Sequence, residues 1–309
     1  MVDSLLSGRV LRAIVWVCVL AGVAPAVRAQ AGYPSPEAAA QALVDAIATT
    51  DQAAVQQVLG QDARRLVPVG VDDASLRADT LRFLSAWSEA HRIVETGDGW
   101  AYLEVGRDHW RFPVPMARRP GAAAGAAWAF DTKAGENVLR LRRIGRNELA
   151  TMHNLLDYVD AQQYYREVRI KAGQTPEYAG KLFSTPGQRD GLYWDRRPGW
   201  PDSPLGPLTA SMGEKVVEGD AFFGYRYKPL EAQGPHAKEG AKGYRVKGRL
   251  TEGFAMIAWP ARYGETGVMT FIVNQDGKIY QRNLGPRTAA IAAAIRTFNP
   301  EGGWEPTRP

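Results

Sequence analysis

Cysteine is almost missing from this chain: there is one, Cys18, in 309 residues. It follows Val15-Trp16-Val17 rather than the Leu-Ala-Gly type of sequence that precedes a lipoprotein cysteine. No intramolecular disulfide is possible, and a chain cut after residue 29 would have no thiolate chemistry at all. Histidine is scarce too. His91, His109, His153 and His236 are the four, and none sits in His-x-x-x-His or His-Glu-x-x-His spacing, so no zinc site is written locally. The chain also lacks a Gly-x-Ser-x-Gly elbow, a phosphate loop and a Ser-x-x-Lys motif with its partners. No block of five like charges occurs, which leaves no electrostatic footprint for nucleic acid. These gaps leave no local motif for serine-hydrolase, zinc or phosphate-loop chemistry. They lead to the expectation of no metal and no cofactor.

What is present starts with an export pattern. Arg9 and Arg12 precede a 15-residue apolar stretch, residues 13–27, too short for a comfortable transmembrane helix. Val27-Arg28-Ala29 is a small-x-small cleavage site, and Ala29-Gln30-Ala31 offers a second. Residues 1–29 are therefore expected to be a cleavable signal peptide, with the mature chain periplasmic or secreted. Contact with the membrane is expected only through the signal segment before cleavage. Cleavage removes three arginines (Arg9, Arg12, Arg28) and one aspartate (Asp3), which lowers the formal net charge from +5 to +3. With 45% hydrophobic and 23% charged residues the remainder is globular and long enough for two domains.

The first domain is expected over residues 30–140. Ser35 can cap a helix, Pro36 fits its first position, and Ala39, Leu43, Ala46 and Ile47 follow at helical spacing. Thr50-Asp51 starts a second helix that Gly60 ends, and a third runs from Asp72 to about Ala90. Strand-like text follows at residues 92–96, 100–105, 110–116 and 127–131, with Tyr102/Glu104 and Leu103/Val105 alternating as in a half-buried strand. Residues 118–125 read as a loose hairpin tip, and residues 133–143 as a short helix or linker. Three helices followed by an antiparallel sheet resemble the cystatin-like cone of the nuclear-transport-factor-2-like superfamily.

The second domain is expected over residues 141–309. Asn147 can cap a long helix, with Glu148 in its first turn and Leu149, Met152, Leu156 and Val159 along one stripe. Residues 184–208 then hold five prolines and four glycines, a loop long enough to be functional or to wrap the surface. Residues 224–230, 243–249 and 254–259 read as strands. Asn274-Gln275-Asp276-Gly277 joins two β-rich runs and predicts a tight hairpin with a type I′ turn. It lacks the alternating carboxylates and the distal glutamate of a calcium loop. Residues 286–298 predict a closing helix.

Several segments together resemble the bacterial domain-of-unknown-function family 2950. They are residues 142–149 (RRIGRNEL), 158–162 (YVDAQ), 184–187 (STPG), 190–194 (DGLYW), 203–208 (SPLGPL), 258–264 (AWPARYG) and the 271–285 hairpin. The resemblance spans about residues 35–305 and implies an exported bacterial protein, with no particular reaction attached. Within it, the long helix, the following loop, Gly224-Tyr225-Arg226-Tyr227 and the closing meander resemble the soluble part of type IV pilins and pseudopilins. The polar, basic residues 133–146 stand where a pilin would carry its apolar filament-core segment. The fold class expected is thus α+β: a cystatin-like cone followed by a pilin-like long helix packed on an antiparallel meander sheet.

Two groups of side chains could carry chemistry. Asp157 and Asp160 lie at i, i+3 on the long helix, suited to acid–base or metal chemistry or to plain salt bridges and caps with Arg143, Arg146 and Arg166. In the aromatic loop, Tyr193, Trp194 and Trp200 lie among Arg189, Asp190, Asp195, Arg196 and Arg197, a mixture that suits glycans, peptides or anionic polymers. The same aromatics could instead pin the loop to the sheet. The binding candidates are therefore Arg146, Asp157, Asp160, Arg189, Asp190, Tyr193 and Trp194. The expected function is a non-enzymatic binding or assembly module of the cell envelope whose partner is an envelope protein or polymer. The alternative is an envelope hydrolase acting on glycan or peptide through Asp157, Asp160 or Asp190, which needs two carboxylates about 5–9 Å apart beside the loop.

Overall fold

The computed structural model describes residues 30–69, 73–123, 127–205 and 221–309. The signal sequence and the end of the Pro/Gly-rich loop, residues 206–208, lie outside them. The chain divides into two compact units, Met1–Thr132 and Lys133–Pro309. That division is upstream of the 140/141 boundary expected from sequence, because the basic stretch 133–143 is helical and belongs to the second unit.

In the first unit, helix α1 (Pro36–Ala48) starts as its sequence dictates: the Ser35 side chain accepts from Ala38 N, and Pro36 fills the first helical position. Helix α2 (Gln52–Leu59) is capped by Asp51. A single turn, α3 (Ala63–Leu66), follows. Helix α4 (Ala74–Glu89) is capped by Asp73, whose carboxylate accepts from Ser75 N and Leu76 N; Asp72 lies outside the described residues. The strands are β1 (His91–Thr96), β2 (Trp100–Val105), β3 (Trp110–Arg111), β4 (Met116–Arg118) and β5 (Trp128–Phe130). They make one antiparallel sheet of order β1-β2-β4-β5, with β3 pairing β2. The single strand expected over residues 110–116 is broken in two between Arg111 and Met116. Leu43, Leu59, Leu103 and Met116 form the fully buried centre. Glu104 is buried as well. Arg92 Nε and Arg111 Nη2 reach its carboxylate at 2.8 and 2.9 Å, which makes burial of the charge tolerable.

The second unit is organised on one 40-residue helix, α5 (Thr132–Lys171). Asn147 and Glu148 are therefore not at a helix start. They sit mid-helix and hold another element: Asn147 Nδ2 donates to Thr266 O at 2.8 Å, and Glu148 Oε1 accepts from Val268 N and Met269 N at 2.8 and 3.0 Å. Arg140 donates to Gly264 O, and Arg143 pairs with Glu265. Four residues of one helix face thus fasten the 264–269 turn.

Strands β6 (Tyr225–Leu230), β11 (Ala255–Pro260), β12 (Met269–Asn274), β13 (Ile279–Asn283) and β15 (Glu305–Thr307) form an antiparallel sheet of order β15-β13-β12-β11-β6. Between them, β7 (Ala232–Gln233), β8 (Lys242–Gly243) and β14 (Thr297–Phe298) make a small three-stranded sheet, and β9 (Arg245–Val246) pairs with β10 (Arg249–Leu250). The run expected as one strand over residues 243–249 is therefore split among short pieces. The closing helix α6 (Thr288–Ala294) is shorter than expected, and the chain enters β14 at Thr297. Lys228 donates to Ala292 O, Ala293 O and Ile295 O and so satisfies carbonyls at the end of that helix. Leu155, Tyr158 and Val159 of α5 join Phe254, Met256, Ile257 and Phe271 in one apolar core.

The hairpin forms where the sequence predicts it, but not as a type I′ turn. Gly277 N donates to Asn274 O at 3.0 Å, and only Gly277 has positive φ, +70°; Asp276 does not. This is a three-residue connection in which a turn is followed by a left-handed glycine.

Candidate functional site

Residues 177–182 leave the end of α5 and run back along it. Glu177 is gripped from two sides, by Arg169 at 2.7 Å and Arg249 at 2.6 Å, and the Arg249 hydrogen bond leads in holding its carboxyl below the usual range. Tyr178 N donates to Leu250 O at 2.8 Å. Ala179 is clamped by a single side chain: Gln162 Nε2 donates to its carbonyl at 3.0 Å, and Gln162 Oε1 accepts its N–H at 2.8 Å. Gln162 is 1% exposed, so it spends its amide satisfying backbone that could not reach water.

The segment then doubles back on itself. Leu182 O accepts from Leu192 N and Tyr193 N, and Ser184 N donates to Tyr193 O at 2.8 Å. Gly191 allows the close approach, since a Cβ there would meet Phe183 C and Ser184 N at 2.7 Å. Asp190 closes the bend. It accepts from Thr185 N at 2.7 Å, from Thr185 Oγ1 at 2.8 Å and from Lys181 Nζ at 2.7 Å. The Lys181 bond, supported by those from Thr185, holds the Asp190 carboxyl down at about 2.

Between residues 179–182 and the end of β6 lies a small open cleft with about 70 Å³ of free space. Leu230, Leu250 and Phe254 supply its apolar surface, and Lys181, Glu231 and Arg245 its charged groups. Tyr158 and Gln162, one turn apart on α5, also line it. Gln162 Nε2 donates to Tyr158 Oη at 3.1 Å, while the Tyr158 proton finds no acceptor among the described residues. Burial pushes that hydroxyl far above its ordinary value, so it stays a donor. Glu231 is engaged by Arg296 at 2.9 Å, and Lys181 by Asp190. Among the described residues, Arg245 bonds only to carbonyls, Gly248 O at 2.9 Å and Gly180 O at 3.5 Å.

None of the seven residues singled out from sequence lines this cleft. Tyr193 and Trp194 are half-buried and pack against the second unit's core, with Trp194 Nε1 donating to Pro201 O at 2.9 Å. They anchor the loop. Arg189 lies over Trp200 with its guanidinium 5.4 Å from the ring centre, and Arg197 at 5.1 Å. Asp190 is a bend-closing group. Asp157, Asp160 and Arg146 are exposed on α5. Partial desolvation at the helix surface, then the neighbouring Asp160 carboxylate, lifts the Asp157 carboxyl above its usual range, with His153 opposing. Among the described residues no group of three or more His, Cys, Asp or Glu could hold a metal ion, and no helix is long and apolar enough to cross a membrane.

Tyr158 and Gln162 were missed as site residues. Their signal was present: two polar side chains four residues apart within an apolar helical stripe, a pair that cannot be buried without partners.

No curated protein and no solved structure matches the chain. The model of one family, described as a protein of unknown function (DUF2950), matches residues 30–307. The chain belongs to that family.

Proposed function

We propose that this is an exported two-domain binding module of the cell envelope, and that its ligand sits in the cleft at Tyr158, Gln162 and Arg245. The first unit, helices followed by an antiparallel sheet, supports the cystatin-like reading; the second, a long helix on a meander, supports the pilin-like one. The observation that carries the binding reading is the inventory of the cleft. It offers a fixed hydroxyl donor, a guanidinium with no carboxylate partner among the described residues, and apolar surface. It offers no free base or nucleophile, since Tyr158 is held protonated and Glu231 and Lys181 are ion-paired. Donors beside apolar surface suit a peptide or acyl fragment that presents carbonyl or carboxylate oxygens.

The hydrolase reading draws on Asp157, whose raised carboxyl is the state a general acid needs. It lacks a second carboxylate in a shared cleft: Asp190 is engaged by Lys181 and Thr185, and Asp160 is exposed on the helix.

The test is binding of short N-acetylated peptides to the purified mature protein, followed by calorimetry. Tyr158→Phe should weaken binding about three- to tenfold, the worth of one neutral hydrogen bond. Arg245→Ala should weaken it further for peptides with a free carboxylate. Binding unchanged by both substitutions would refute the assignment, as would turnover of the peptide.

A further inference from the structure

The export pattern leaves two cleavage sites open, after Ala29 and after Ala31, and the residue between them that decides the matter is Gln30. Its side chain is built into the first unit. Nε2 donates to Phe130 O at 2.7 Å and to Val58 O at 3.2 Å. Arg119 Nη2 donates to Oε1 at 3.0 Å, and Arg119 Nη1 approaches Gln30 O at 3.5 Å. The next residue is fixed too, with Ala31 N donating to Gln57 O at 2.9 Å, and Tyr33 exchanges two backbone bonds with Trp128. Gln30 therefore joins three separate pieces: the last turn of α2, the edge strand β5 and the segment after β4. The Val58 carbonyl is one of those a helix leaves unpaired at its C-terminal end, and Gln30 supplies its partner. The family match also begins at residue 30.

Cutting after Ala31 would discard Gln30 and turn the Ala31–Gly32 bond into an end. Phe130 O and Val58 O would lose their donor, and Arg119 its acceptor. We infer that processing cuts between Ala29 and Gln30, and that the first residue of the mature protein is the pin that closes the first unit. The inference rests on the export reading above.

It has a chemical consequence. A newly freed N-terminal glutamine can cyclise: its α-amine attacks Cδ, the N–Cδ bond forms, the Cδ–Nε2 bond breaks, and Nε2 leaves as ammonia with a proton from the amine. Here Nε2 is held between two carbonyls and Oε1 by a guanidinium. Cyclisation would destroy both Nε2 bonds, so the folded protein keeps an open glutamine.

Intact mass and N-terminal peptide analysis of the full chain expressed in a bacterial host tests this. The expected species is periplasmic and begins with uncyclised Gln30; unfolding in denaturant should release ammonia over time. A mature protein beginning at Gly32, or a folded one that is mostly cyclised, would overturn the inference while leaving export intact. A cytoplasmic protein retaining residues 1–29 would overturn export itself. A chain engineered to begin at Gly32 should melt about 4–8 °C lower in its first unit than one beginning at Gln30. Equal melting of the two would also overturn the assignment.

Discussion

At the residue scale, the polar side chains that matter are those spent on the backbone. Gln162, Glu148, Asn147 and Gln30 each bond main-chain groups of a distant segment. Each such bond contributes about 1 kcal/mol net, and losing the partner of a buried group costs more. Asp190 belongs to this set and makes a pH prediction. Its folded carboxyl lies at about 2, below the unfolded value of about 3.9. The group therefore contributes stability that is present above the unfolded value and is lost as pH falls from about 5 towards 2. Asp190→Asn should lower stability at pH 7 and lose progressively less relative to the parent over that window. The side chain is 36% exposed, so solvent screening keeps the pH-dependent part under about 1 kcal/mol. Urea melts of parent and variant at several pH values measure it; a difference that does not narrow on acidification would contradict the role given to Lys181 and Thr185.

At the element scale, the hairpin and the long helix show what the sequence makes legible. Alternating β-rich runs around Asp276-Gly277 located the turn, but the turn type depends on how the flanking register closes, which dipeptide chemistry alone does not fix. Because Gly277 alone takes positive φ, +70°, Gly277→Val should destabilise the second unit by about 1 kcal/mol or more, while Asp276→Ala should cost little. Thermal melts of both variants decide it, and equal effects would restore the two-residue turn. The helix starts earlier than its sequence suggests for a related reason. Asn147 and Glu148 carry a good capping signature, and residues 133–146 look polar enough for a linker. What makes that stretch helix is tertiary: Arg140 and Arg143 dock on the 264–265 turn, contacts more than 120 residues apart in sequence. Caps at Ser35 and Asp51 were legible because everything they need is local.

At the scale of the whole molecule, the chain is two compact units of a family described only as of unknown function, and the candidate site lies in the second. Aromatic and charged residues draw attention to the 189–200 loop, but aromatics serve as anchors as readily as they line sites, and Tyr193 and Trp194 pack partly against the core. The cleft was invisible in sequence because it is assembled from four separated stretches: α5, residues 179–182, the end of β6 and residues 245–255. The measurement that reaches the central claim most directly is an NMR titration of the mature protein with envelope-derived peptide and glycan fragments. Shifts should concentrate at Ala179, Leu230, Leu250 and Phe254, need about three- to tenfold more ligand in Tyr158→Phe, and leave the fragments chemically unchanged. Shifts centred on Tyr193, Trp194 and Asp157, or cleavage of the fragments during the titration, would contradict the binding assignment and return the molecule to the hydrolases.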